Sequence, residues 1–210
     1  GDMWQGVAFR YGDSVEQNLT LNKGVQDLAG RHGAVKLILT GLDLAVQVAA
    51  ASGARVIATC GNDADAKAAK AAGAQTVLDY RAPDLAQAIL DATNGAPIDH
   101  AVEVEFGQNI AMLTEVIAAS GRIVAYGSAK DMTPTLPFYP LMFKAVTIDL
   151  ALVYLLNDHE RATAVGHLNA LLERGSLDLR IAQTLPLEDC AKAHDIVASG
   201  QRSGAVILQM

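Results

Sequence analysis

The feature that most limits what this chain can fold into is a regular alternation of short apolar runs and helix-like segments from Val35 onward. Val35–Thr40, Arg55–Thr59, Thr76–Leu78, Asp99–Glu105 and Arg122–Tyr126 read as buried strands. Between them, Leu42–Ser52, Asp63–Ala72, Asp84–Thr93 and Asn109–Ala119 read as helices. Strands spaced by helical segments of roughly 10 residues run parallel, because each helix returns the chain to the starting edge of the sheet. The prediction is an α/β fold: a doubly wound, Rossmann-like parallel sheet. Gly53, Gly73 and Gly121 each follow a helix and are expected to end it in the left-handed conformation.

Beyond Tyr126 the pattern loosens. Gly127–Pro140 holds three prolines and reads as a loop, whereas Val146–Leu156 is apolar apart from Asp149 and reads as one long strand. Asn157 or Asp158 can cap a helix running to Glu173. A tail of strand (Leu179–Thr184), helix (Leu187–Ser199) and strand (Ala205–Gln209) closes the chain. At the other end, a helical pattern covers Val15–Leu28, with Ser14 as cap and Gly30 near its end. The expected organisation is an amino-terminal segment over 1–34, a nucleotide-type domain over 35–175 and a carboxy-terminal tail over 176–210.

Composition excludes several function classes. The chain is 51% hydrophobic and its mean hydropathy is +0.22, enough for a solid core and too much for disorder. No run of about 18 apolar residues occurs, so no membrane span is expected. A net charge of −7 with no basic stripe argues against nucleic acid. Cys60 and Cys190 are too few for a disulfide framework or a thiolate zinc site. The five histidines show no metal-binding spacing, so no metal is expected. Gly1-Asp2-Met3-Trp4 lacks the basic start and apolar centre of a signal peptide, and a reducing cytoplasm is the expected location.

The first strand–helix–strand unit, Val35 to Asn62, has the layout of a dinucleotide site but lacks its glycines. A pyrophosphate needs backbone N–H groups that side chains do not block, hence the usual G-x-G-x-x-G turn. Here Gly41 stands alone, followed by Leu42 and Asp43. The second strand ends Thr59-Cys60-Gly61-Asn62, without the carboxylate that would hold an adenosine ribose in an NAD site. That absence favours NADP, whose extra phosphate a carboxylate would repel. Lys67, Lys70, Tyr80 and Arg81 could supply donors to it, although ordinary solvated residues would give the same pattern.

Other pairs carry less. Tyr126 and Lys130 match Y-x-x-x-K, but they follow a strand and precede prolines, so a shared helical turn is not expected. Glu103 and Glu105 fall on one strand face, where a strand end near solvent is the commoner explanation than an acid–base couple. His100 and His194 read as packing or surface residues, and Cys60 as an inert small apolar one.

Several ordered stretches resemble the medium-chain dehydrogenase/reductase superfamily: Ser52-Gly-Ala-Arg-Val-Ile-Ala-Thr59, Ala71-Ala-Gly-Ala-Gln-Thr-Val-Leu-Asp-Tyr-Arg81, Pro97-Ile-Asp-His-Ala-Val-Glu103 and Ser120-Gly-Arg-Ile-Val-Ala-Tyr-Gly-Ser128. The tail adds Leu185-Pro-Leu-Glu-Asp-Cys-Ala-Lys-Ala-His194 and Ser203-Gly-Ala-Val-Ile-Leu208. The chain is most similar to the zinc-free quinone oxidoreductase branch, of the zeta-crystallin type, over roughly Val35 to Met210. That resemblance implies an NADPH-dependent, zinc-independent oxidoreductase, passing hydride to a small quinone or enone. It implies a cofactor site of Gly41, Thr59, Gly61, Asn62, Lys67, Tyr80, Gly127 and Ser128, with no catalytic residue assigned. It also implies a homodimer paired through edge strands, here Val146–Leu156, and a tail that packs on the catalytic domain.

Three departures accompany it. Setting Ala45-Val-Gln-Val on the family's helix leaves about five residues absent, the length of the glycine-rich turn. The family's phosphate-binding lysine aligns with Asp65, two positions before Lys67, whereas Tyr80 aligns with the phosphate-contacting tyrosine. The family's amino-terminal catalytic barrel has no counterpart in residues 1–34. The alternative is therefore a non-catalytic nucleotide-binding or dimerisation module. A methyltransferase would need an acidic ribose ligand where Thr59-Cys60 stands.

Overall fold

The computed structural model describes residues 36–40, 43–179, 181–199 and 204–210. The helical pattern expected over Val15–Leu28, and Gly41 with Leu42, lie outside the described residues.

Parallel strands with helical returns are what the alternation dictated, and they build one sheet. It contains β1 (Lys36–Thr40), β2 (Arg55–Cys60), β3 (Thr76–Asp79), β4 (Ile98–Glu103), β5 (Ile117–Ala125) and β6 (Thr147–Leu150). The spatial order is β3-β2-β1-β4-β5-β6, the doubly wound order whose direction of winding reverses between β1 and β4. Every neighbouring pair is parallel. The connecting helices are α1 (Asp43–Ala51), α2 (Asp63–Ala71), α3 (Leu85–Ala92), α4 (Phe106–Val116) and the short α5 (Phe138–Phe143).

Two apolar layers sandwich the sheet. On one face Ala45, Val46, Val48 and Ala49 of α1 pack against Val56 and Ala58 of β2 and reach Leu171 of α6 (Asp158–Glu173). On the other, Leu85 and Ile89 of α3 and Ile110 and Leu113 of α4 pack against Ile57, Ile98 and Ile123. Alanine dominates α1 because a helix that lies flat on a sheet needs small side chains at the contact. Full burial of a Leu or Ile side chain contributes about 1.5–3 kcal/mol, so these layers hold the strand ends in place.

After α6, β7 (Ile181–Pro186), α7 (Cys190–Ser199) and β8 (Ala205–Gln209) form a separate parallel pair covered by one helix. Its small core is Leu185, Ala193, Val197 and Val206. Gln47 of α1 ties the segment before it to the main body, donating to the Asp178 carbonyl and accepting from the Asp178 N–H.

Local chemistry sets the element ends, and in places corrects the sequence expectation. Asn157 does cap α6: its side chain accepts from the Glu160 N–H while Glu160 accepts from the Asn157 N–H, a reciprocal capping box. Gly53 and Gly73 take the expected positive φ, +83° and +107°. Gly121 does not. There Ser120 adopts φ +58°, and a β-carbon on Gly121 would sit 2.7 Å from Ile117 Cγ1. Gly121 is thus needed for close approach rather than for handedness.

The long strand expected over Val146–Leu156 is shorter: β6 stops at Leu150 and a single 3₁₀ turn covers Val153–Leu155. The proline-rich stretch read as a loop ends in α5. Pro137 precedes that helix and Pro140 sits in its first turn, where a missing N–H costs nothing. The acidic pair is also corrected. Glu103 ends β4 and is buried, with 1% exposure rather than a solvent position. Glu105 lies beyond the strand, as the residue before α4.

Candidate functional site

In a doubly wound sheet, ligands meet the carboxyl ends of the strands beside the point where the winding reverses. Two clusters stand at that edge, one around the ends of β2 and β3, the other around the ends of β4 and β5.

The first begins where β2 leaves the sheet. Thr59 is buried in register with Thr40 and Leu78, so it packs the strand end and presents no free surface. Gly61 follows, and Tyr80 lies on it: a β-carbon at Gly61 would sit 2.6 Å from the Tyr80 ring. The Arg81 guanidinium donates to the Gly61 carbonyl. It also pairs with Asp79 at 3.0 Å, its Cζ lying 5.6 Å from the Tyr80 ring centroid. That guanidinium holds the Asp79 carboxyl below its ordinary range, chiefly through the side-chain hydrogen bond.

Asn62 caps α2. Its Oδ1 accepts from the Asp65 N–H at 2.9 Å and its Nδ2 donates to Asp65 Oδ2 at 2.7 Å. The first turn of α2 is therefore satisfied by the chain's own amide and carboxylates, which claims the helix terminus an anion would use. Lys67 and Lys70 lie further along α2. They line a cavity of about 420 Å³ between α2 and β3, together with Asn62, Asp63, Asp79 and Arg81. Cys60 forms part of its floor. Burial, and then the Asp65 charge, raise the Cys60 thiol above its ordinary value, which keeps it neutral and unreactive.

The second cluster laces the exits of β4 and β5 together. The Gly107 N–H donates to Ser128 Oγ at 2.8 Å, and that hydroxyl donates to the Asp131 carbonyl. The Phe106 N–H donates to the Gly127 carbonyl at 3.0 Å. Gly127 has no room for a side chain, since a β-carbon would lie 2.5 Å from the Val104 carbonyl oxygen. Glu103 Oε1 accepts from the Glu105 N–H at 2.6 Å, and Glu105 Oε2 accepts from the Lys130 N–H at 3.1 Å. Tyr126 and Lys130 share no helix, so the Y-x-x-x-K geometry is absent as expected. Among the described residues, no group of three or more His, Cys, Asp or Glu side chains is placed to hold a metal.

The two clusters meet. Lys130, on the loop after β5, brings its Nζ to 5.9 Å from the centroid of Tyr80, which follows β3. Sequence reasoning named Tyr80 and paired Lys130 only with Tyr126. A contact between residues fifty positions apart depends on the path of a loop, and no local pattern signals it.

A dinucleotide's two ends fare differently here. The cavity beside α2 offers the cationic side chains of Lys67, Lys70 and Arg81, set among the carboxylates of Asp63 and Asp79, the second of which pairs with Arg81. The pyrophosphate end does not fit. Only residues 41 and 42 separate β1 from α1, and α1 opens on an aspartate. Counting G-x-G-x-x-G from Gly41 puts Asp43 at the second glycine and the fully buried Val46 at the third.

Residues 43–169 match the family model described as zinc-binding dehydrogenase. Quinone oxidoreductase 1 of Escherichia coli is 26% identical over 170 residues, 79% of this chain and 52% of that protein. A mycocerosic acid synthase-like polyketide synthase of Mycolicibacterium smegmatis is 28% identical over 171 residues, 79% of this chain and 8% of that protein. Among solved structures, the E. coli quinone oxidoreductase complexed with NADPH superposes with a TM-score of 0.76 at 22% identity. That superposition covers 92% of this chain and 63% of that one. The chain thus spans about half the length of the quinone oxidoreductase it matches. With the family match covering more than half of its residues, the chain belongs to the zinc-binding dehydrogenase family, as a quinone-oxidoreductase-like member of the medium-chain dehydrogenase/reductase superfamily.

Proposed function

We propose that this chain is the nucleotide domain of an NADPH-dependent, zinc-independent oxidoreductase that passes hydride to a quinone or another activated double bond. The observation that supports it is the cavity between α2 and β3. Beyond a β2 that ends without a carboxylate, its lining holds Asn62, Asp63 and Asp79 together with the cationic donors Lys67, Lys70 and Arg81. A 2′-phosphate gains charge-assisted hydrogen bonds from such donors, whereas an unphosphorylated ribose gains little. Bound there, the cofactor would supply the hydride. Lys67 and Lys70 would hold its phosphate, Tyr80 would cover the adenosine side, and the Gly127–Ser128 turn would keep the exit of β5 close to the exit of β4.

The tail β7–α7–β8 would pack on a catalytic domain, and β6, an edge strand bearing the exposed Leu150, would pair with its copy in a homodimer. A reducing cytoplasm suits the two free thiols, Cys60 and Cys190. The test is calorimetric titration with NADPH and NADH, followed by NADPH oxidation in the presence of a simple quinone. NADPH is expected to bind about tenfold or more tighter than NADH; equal affinity for the two refutes the phosphate site.

A second reading, a non-catalytic binding module, is favoured by the aspartate opening α1 and the missing glycines. Tight NADPH binding without quinone turnover would support it.

A further inference from the structure

We propose that Asn94 is a deamidation site gated by the last turn of α3: when that turn opens, the Asn94–Gly95 pair closes to a succinimide, which water reopens as aspartate or isoaspartate.

The chemistry asks three things of an asparagine: a following residue without a β-carbon, a side-chain amide that nothing else holds, and access for water. Glycine leaves its nitrogen unshielded and its backbone free to bend toward the side chain. No other asparagine of the chain precedes glycine. Asn94 and Gly95 are both exposed, and a β-carbon on Gly95 would meet nothing within 4 Å. Among the described residues, none hydrogen-bonds the Asn94 side chain. By contrast, Asp65 holds Asn62 at both Oδ1 and Nδ2, and the Asn157 Oδ1 caps α6.

The same turn withholds the nucleophile. Asn94 and Gly95 follow Thr93, the residue that caps α3, with φ of +56° and +79°. The Gly95 N–H donates to the Leu90 carbonyl at 2.8 Å and the Asn94 N–H to the Asp91 carbonyl at 3.1 Å, which closes the helix end. Buried Thr93 fastens the turn, its hydroxyl donating to the carbonyls of Leu90 and Ala96. Attack on the side chain therefore requires loss of the Gly95–Leu90 bond. Such a local opening leaves Leu85 and Ile89 packed on the sheet.

Water is the only co-reactant. The Gly95 nitrogen attacks Asn94 Cγ and a C–N bond forms; its proton leaves with the side-chain nitrogen as ammonia. Water then adds to one of the two ring carbonyls and breaks its bond to nitrogen, giving a carboxylate at residue 94 and a proton. Either product weakens the end of α3. The new charge falls at the negative end of the helix dipole, three residues after Asp91. Isoaspartate also lengthens the backbone and carries the Gly95 N–H away from Leu90. The turn leads into β4 at the amino edge of the sheet, and none of its residues lines the cavity between α2 and β3.

Peptide mapping by mass spectrometry, after mildly alkaline incubation of the whole chain both native and unfolded in guanidinium, tests the proposal beside hydrogen exchange at the Gly95 N–H. Native Asn94 is expected to convert at least about tenfold faster than Asn62 or Asn157, with isoaspartate among its products. A smaller difference overturns the site. The slowing of Asn94 in the native chain relative to the unfolded one is expected to match the protection of the Gly95 N–H within about threefold, since both need one bond broken. A larger mismatch overturns the gate. Thr93→Val, which keeps the shape and loses the hydroxyl, is expected to speed conversion about threefold or more. An unchanged rate in that folded variant also overturns the gate, and should the variant fail to fold, the exchange measurement on the unaltered chain still decides.

Discussion

Replacing Lys144 by methionine should destabilise the sheet through a helix end. Lys144 follows α5 and reaches back beneath α4, where its Nζ donates to the carbonyls of Thr114 at 2.7 Å, Ile117 at 2.9 Å and Glu115 at 3.1 Å. Thr114 and Glu115 carry two of the last carbonyls of α4, which have no partner within the helix, and Ile117 is the residue that caps it. A hydrogen bond from a charged donor contributes about 1.5–3 kcal/mol, and a cation at a helix C-terminus about 0.3–1 kcal/mol. The three bonds share one ammonium and its desolvation cost, and the Glu115 bond is exposed, so they do not add. The net expectation for Lys144→Met, which keeps the packing of the stem, is about 2–3 kcal/mol. With a urea slope of roughly 2 kcal/mol/M, the unfolding midpoint should fall by about 1–1.5 M. Equilibrium unfolding followed by circular dichroism measures it. A midpoint moved by less than about 0.3 M would show that water replaces the ammonium at no cost, and the reasoning would be wrong.

Two glycines should respond differently to alanine. Gly127→Ala meets a backbone oxygen and should cost about 2 kcal/mol or more, whereas Gly61→Ala displaces only the exposed Tyr80 ring and should change stability by less than about 0.5 kcal/mol; thermal melts of both decide it. The Arg122–Asp149 pair joins β5 to β6 at 2.8 Å with both side chains about 30% exposed or less. A double-mutant cycle should return a coupling of about 0.5–1 kcal/mol, weakening in high salt, and a zero coupling would count against it. Iodoacetamide at mildly alkaline pH should modify the exposed Cys190 well before the buried Cys60, as read by mass spectrometry. Because folding raises the Cys60 value, its contribution to stability is full below the unfolded thiol's pKa and is lost as pH climbs through the folded one. Stability that rose over that alkaline range would contradict the burial assigned to Cys60.

The parallel strands and their helices could be read from the sequence because short, largely apolar runs alternate with helix-length segments. The reciprocal cap at Asn157 and the left-handed turns at Gly53 and Gly73 were equally local. Where expectations failed, a tertiary contact outweighed the local pattern. Ser120 accepts a positive φ because Gly121 must let Ile117 approach, and its N–H is fixed by the Lys144 carbonyl at 2.6 Å. Glu103 looked like a solvent residue because glutamate usually is one, yet its carboxylate closes the turn into α4. Around the site, Asn62, Lys67, Lys70 and Arg81, all named from the sequence, line one cavity beside Asp63 and Asp79, which were not. Gly127 and Ser128 lie in a different cluster, and only the Lys130–Tyr80 contact links the two.

The reversal of winding between β1 and β4 also fixes an order of assembly. During synthesis β1 can pair at once with β2, but its other edge stays open until β4 leaves the ribosome, roughly 60 residues later. At about 5–20 residues per second, that edge waits for roughly 3–12 s. The seam that finally closes it is short, pairing Leu37 with His100, Ile38 with Ala101 and Leu39 with Val102. Nascent chains of this protein therefore carry an open apolar strand edge through a long window, and the early half of the sheet is the part that a chaperone would need to shield.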